Sequence, residues 1–145
     1  MRIVIDTNVW VSGLLWRGPA WVLLRLAEAD RVQLCATPAM LEELSEVLGY
    51  HRLQARLAQL RLTPPDLLAY VMDRTILFEV KASPVEPIVV ADPDDDLFLH
   101  CAAAVQAAYV ISGDSHLLAL GEHAGIPILS AHEFLKREFP DQMPA

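Results

Sequence analysis

The sequence predicts a three-layer α/β fold with a central, mostly parallel sheet of about five short strands. Two observations carry this. Short apolar, β-branched runs recur along the chain, each too brief for a helix and apolar at successive positions, as in a sheet covered on both faces. Between them lie stretches that open with helix-start signals, so strands alternate with helices over a chain of 145 residues, a length that suits one domain, 1–145, with one substantial core.

The strands are Arg2–Ile5, Val32–Ala36, Ile76–Val80, Tyr109–Ser112 and Ile126–Leu129. Thr37-Pro38 pairs an N-cap with proline at the first helical position and opens a helix to about Leu48. Thr63-Pro64 repeats the device for a helix to about Arg74. Asp95 or Asp96 opens a helix to about Ala107, and Ser130-Ala-His-Glu133 has the form of a capping box at the start of the last helix. Ser83–Pro93 reads as the loosest connection, and no repeat or low-complexity segment is present.

Composition narrows the function. Hydrophobic residues make up 54%, a surplus that points to a buried partner surface. No apolar run reaches the ~18–20 residues that span a bilayer, and the N-terminus is unlike a signal peptide, so the expected location is cytoplasmic, with no membrane. Cys35 and Cys101 lie outside any CxxC pattern and read as buried reduced thiols. The net charge of −8 is unlike that of a passive nucleic-acid binder. A polyanion would have to be met through metal ions or a local basic patch.

The acidic residues follow the fold. In an α/β sheet, sites form where strand C-termini meet helix N-termini. Asp6 ends the first strand, Asp114 follows YVIS after one glycine, Asp92-Pro-Asp-Asp-Asp96 precedes a helix, and Glu43 lies in the helix after the second strand. Gathered carboxylates repel one another and need a proton or a cation. Hard oxygen donors suit Mg²⁺ or Mn²⁺, and such ions can activate water for phosphodiester hydrolysis. Plainer readings stand beside this one. Asp6 and Asp114 can serve only as helix caps, Glu43 can belong to a solvated face with Glu42 and Glu46, and the DPDDD run can be an exposed turn that favours a helix dipole.

RIVIDTNVWVSGLL, LEELSEVL, DPDDDLFLHCA and YVISGDSHLL, in this order and spacing, resemble the PIN domain over essentially the whole chain. The likeness is greatest to bacterial PIN proteins that act as toxins of toxin–antitoxin pairs, relatives of the VapC ribonucleases. The resemblance implies a compact α/β/α domain that cleaves RNA endonucleolytically with Mg²⁺ or Mn²⁺. By position it makes Asp6, Glu43 and Asp114 catalytic metal ligands, with Asp95 or Asp96 as the remaining acid and Asp95 slightly favoured. Thr7, Asn8 and Ser112 would support them, Ser112 standing where relatives usually carry threonine. His116 replaces a common aspartate and puts a second-metal position in doubt. A cognate antitoxin and a homodimer are implied as partners.

Other polar features are less specific. Arg52 and Arg56, four apart on one helix, and Arg17 in a loop can hold RNA phosphates, or simply face solvent. Trp10, Trp16 and Trp21 suit core and interface packing better than base stacking. The remaining histidines show no zinc spacing, and there is no G-x-S-x-G elbow or P-loop. Two rival functions remain: a PIN-like scaffold that binds a partner without catalysis, and a phosphatase or phospho-acceptor domain with Asp6 as nucleophile. The second fits poorly, because the chain has Asp6-Thr-Asn8 rather than Asp-x-Asp, and neither Lys81 nor Lys136 follows a late strand.

Overall fold

The computed structural model describes residues 1–79 and 96–143. The elements run β1 (Arg2–Ile5), α1 (Thr7–Leu15), α2 (Pro19–Glu28), β2 (Gln33–Ala36), α3 (Pro38–Leu48), α4 (His51–Leu60), α5 (Pro64–Arg74), β3 (Thr75–Leu77), α6 (Asp96–Val105), β4 (Tyr109–Ile111), α7 (Ser115–Leu120), β5 (Glu122–His123), β6 (Ile126–Leu129) and α8 (Ala131–Glu138), closed by a 3₁₀ turn at Pro140–Gln142. Among the described residues the sheet has six strands in the order β3-β2-β1-β4-β6-β5, parallel throughout except for the β5–β6 pair. The architecture is the expected three-layer α/β/α fold, with β5 as a strand beyond the five read from sequence.

Alternation along the strands divides the core. Ile3 and Ile5 of β1, Leu34 of β2 and Tyr109 and Ile111 of β4 face a core filled by α1, α2, α8 and the larger part of α3, α4 and α5. Val4, Cys35 and Val110 face the opposite core, filled by Phe98, Leu99, Cys101 and Ala102 of α6 and Leu117 of α7. Each central strand is therefore buried on both faces, which is why it reads as a continuous apolar run. Both cysteines are buried and free, and burial together with Cys35 pushes the Cys101 thiol up to about 12, away from reactive thiolate chemistry.

Parallel strands deliver their carboxyl ends to one edge, and there the chain turns repeatedly into a capped helix. Asp6 caps α1, Thr37 caps α3, Asp114 caps α7 and Ser130 caps α8, each side chain accepting from the first turn of its helix. At Ser130 the forward half of the predicted box is present, with the Glu133 N–H donating to Oγ at 3.1 Å. The full reciprocal box forms elsewhere, between Thr63 and Asp66 at α5. Gly13 lets α2 approach α1 closely, since a Cβ there would lie 2.8 Å from the Ala20 carbonyl oxygen and 2.9 Å from Leu24 Cδ1. That contact fixes the helix that Asp6 opens.

Candidate active site at the carboxyl edge of the sheet

Strand register brings the first and last predicted acids together. Ile5 pairs with Ile111, and the Asp6 N–H donates to the Ile111 carbonyl at 3.0 Å, so the next residues, Asp6 and Ser112, fall side by side. Asp6 is only 3% exposed and Ser112 is fully buried. The Ser112 hydroxyl donates to Asp6 Oδ2 and accepts from the Asp114 N–H at 2.9 Å. One hydroxyl thus ties the end of β1 to the loop carrying Asp114. Asp6 Oδ1 accepts from the Val9 N–H at 2.8 Å.

Glu43 arrives from α3, which packs against α1. The buried Thr7 hydroxyl donates to Glu43 Oε2 at 2.9 Å, linking the residue after Asp6 to the helix acid. Glu42, one residue earlier, is exposed. Asp6, Thr7, Asn8, Glu43 and Asp114 line a single cavity of about 90 Å³, walled on its apolar side by Val47 and Phe98. Sequence reasoning misses Val47 and Phe98 as parts of the site. Val47 sits one helical turn beyond Glu43, a spacing that places it on the same face and could have found it.

The electrostatics are unfavourable to a bare carboxylate cluster. Burial pushes the Asp6 carboxyl above its ordinary range. Hydrogen bonds from Ser112, Val9 and the Gly113 backbone oppose this, and the charge of Asp114 adds to the rise. Asp114 is half-buried and spends Oδ1 on the N–H groups of His116 and Leu117, at 2.7 and 3.3 Å. Capping therefore does not keep these acids from the cavity, because Asp6 and Asp114 both cap helices and line it.

The donors are all hard oxygens and suit Mg²⁺ or Mn²⁺ in chemistry. As placed, no three His, Cys, Asp or Glu side chains among the described residues stand close enough together to hold a metal ion. Asp96 is the first residue of α6 and half-buried, whereas Asp95, the favoured alternative, lies outside the described residues together with Asp92 and Asp94. His116 is exposed on α7.

The arginines lie apart from this cavity's lining. Arg17 is exposed and stacks on Trp21, 5.0 Å from the ring centroid, and Arg52 is exposed above Tyr50 at 5.7 Å. Arg56 has a packing role: Nε donates to the Leu15 carbonyl at 2.8 Å and the guanidinium covers Trp16. Trp10 is a core residue, 4% exposed, whereas Trp16 is 44% exposed, which separates two tryptophans that sequence alone groups together.

Among the described residues no helix is long and apolar enough to cross a membrane. No curated protein matches the chain. The PIN domain family model matches residues 2–116, a span that contains Asp6, Glu43, Asp95, Asp96 and Asp114. The chain belongs to the PIN-domain family, whose members are generally divalent-metal-dependent nucleases acting on nucleic acids.

Proposed function

We propose that residues 1–145 form a single PIN-like domain that acts as a metal-dependent endoribonuclease, the cytoplasmic toxin of a type II toxin–antitoxin pair. The observation that carries this reading is the linkage at the sheet edge: Asp6 and Asp114 share the Ser112 hydroxyl and line one cavity with Glu43. Asp6, Glu43, Asp114 and one of Asp95 and Asp96 are the residues that would hold Mg²⁺ or Mn²⁺. When bound, the ion supplies charge neutralisation and activation of water for hydrolysis of an RNA phosphodiester.

The chain's own groups do the positioning. Ser112 and the Val9 N–H orient the two Asp6 oxygens, Thr7 orients Glu43, and Asn8 stands at the cavity rim. The burial that lifts the Asp6 pKa favours either a proton or a cation there, and a cation would also offset the charge of −8 facing RNA. Arg17 and Arg52 lie outside the acidic cavity's lining and would hold RNA phosphates beyond the cut, with Arg56 reaching RNA only through guanidinium N–H groups not donated to Leu15 and Gln59. Exposed Trp16 and Tyr50 offer apolar surface for an antitoxin or a second copy of the chain.

The test is cleavage of a single-stranded RNA pool with Mn²⁺ by wild type, Asp6→Asn and Asp114→Asn. Each variant should lose about 100-fold or more, since removing even an outer partner of a metal ligand costs roughly 10- to 100-fold. Cleavage undiminished in Asp6→Asn would overturn the mechanism. A wild type that binds RNA without cutting it would make the chain a binding module.

A further inference from the structure

A second cavity, of about 220 Å³, lies beside the acidic one. Asn8 lines both, and Ser112 and Gly113, which connect Asp6 to Asp114, form part of the second wall. The two differ in character. Among the described residues no acidic side chain lines the larger cavity, whose apolar surface comes from Val9, Ala20 and Ala131, with polar groups at Ser12, Ser130 and His132. We propose that this cavity, which adjoins the acid cluster through Asn8 and Gly113, is a subsite for one unstacked nucleobase of the RNA strand, next to the phosphodiester that is cut. The proposal rests on the nuclease reading above and deepens it.

The occupant follows from chemistry. A base has two apolar faces and a polar edge, and the cavity offers apolar walls with a few hydrogen-bonding side chains. Single-stranded RNA is commonly read by splaying a base into such a pocket and bonding its edge. A phosphate would gain little from Val9, Ala20 and Ala131. Each polar residue has capacity to spare. The Ser130 hydroxyl accepts from the Glu133 N–H and can still donate, and Ser12 and His132 are exposed. Continuity with the acidic cavity matters because a nucleotide joins its base to its phosphate covalently. Once the phosphodiester lies against Asp6 and Asp114, a neighbouring base has this cavity within reach.

Ser12→Phe would fill the cavity from the exposed side of α1 without altering an acid. The experiment sequences the ends produced from a randomised single-stranded RNA pool with Mn²⁺, and runs bis(p-nitrophenyl) phosphate, a diester without a base, in parallel. Wild type should show a base preference at one nucleotide adjoining the cut. Ser12→Phe should flatten that preference and lower RNA cleavage about tenfold, while hydrolysis of the baseless diester persists. His132→Ala should change the preference more weakly, in a protein whose cavity stays open. A preference absent from wild type, or unchanged in Ser12→Phe, overturns the subsite with the nuclease reading intact. Loss of both activities in Ser12→Phe, with an unchanged melting temperature, also overturns it, because the residue would then serve the reaction itself. If wild type cuts neither substrate, the nuclease reading fails, and the subsite fails with it.

Discussion

At the end of β1, Asp6 accepts from the Val9 N–H through Oδ1 and opens α1. One strand over, at the end of β2, Thr37 accepts from the Met40 N–H at 3.3 Å and opens α3. Both side chains are buried, at 3% and 7% exposure, and both make the same strand-to-helix turn. Thr37 shows that a neutral hydroxyl is enough for the turn. Asp6 brings a charge that capping does not require, into a place where burial and Asp114 both oppose ionisation. The second oxygen is held by Ser112, which also holds the Asp114 backbone. The two turns differ by a buried carboxylate at Asp6, whose charge the cation of the proposed function would neutralise.

The largest expected effect on the Asp6 turn lies at Ser112. Ser112→Ala removes the bond to Asp6 Oδ2 and the partner of the Asp114 N–H together. Cleavage should fall about tenfold, equivalent to roughly 1.4 kcal/mol, as for the outer partners of metal ligands. Ser112→Thr keeps the hydroxyl and should retain most activity. Equal loss in the two variants would mean that packing, not the hydrogen bonds, matters at this position.

Thr37→Ala removes the neutral cap of the second turn. Losing this cap should lower stability by about 1 kcal/mol in a denaturant melt and leave cleavage within about twofold. A large loss of activity in a folded Thr37→Ala protein would erase the distinction between the two turns.

The smallest effect is the titration of Asp6 in metal-free protein. Its folded pKa lies above the ordinary 3.8, so over that interval the folded chain keeps a proton that the unfolded chain has released. The resulting stability is fully present below 3.8 and is lost as pH rises through the folded value. Asp6→Asn has no such proton. Its stability relative to wild type should therefore increase with pH across the window and then level off, as read by melting temperature at matched pH. A relative stability that fell with rising pH would contradict burial as the dominant influence on Asp6.

Much of this edge is legible in the amino-acid sequence. β1 and β6 match their predicted bounds, and α5 runs to Arg74 after Thr63-Pro64, because apolar runs and proline at the first helical turn are local signals. β5 is not legible: Glu122 and His123 carry no apolar pattern and form a strand only by pairing with β6. α1 is buried on several sides, so its VWVSGLL run lacks helical periodicity and does not show its limits. Asp6, Glu43 and Asp114 can be nominated from position. Their linkage cannot, because the Ser112 and Thr7 bonds join residues 106 and 36 apart in the chain. Arg56 shows the same limit. Spacing puts it beside Arg52 on α4, and only the packed structure turns its Nε to the Leu15 carbonyl.

The most direct test of the cation site is thermal unfolding of wild type and Asp6→Asn with and without Mn²⁺, comparing the metal-induced shift in each protein. Mn²⁺ at about a hundred times its dissociation constant should add roughly 2.7 kcal/mol to wild type, and the gain should vanish in Asp6→Asn. Equal shifts in the two proteins, or none in either, would contradict a cation held at Asp6.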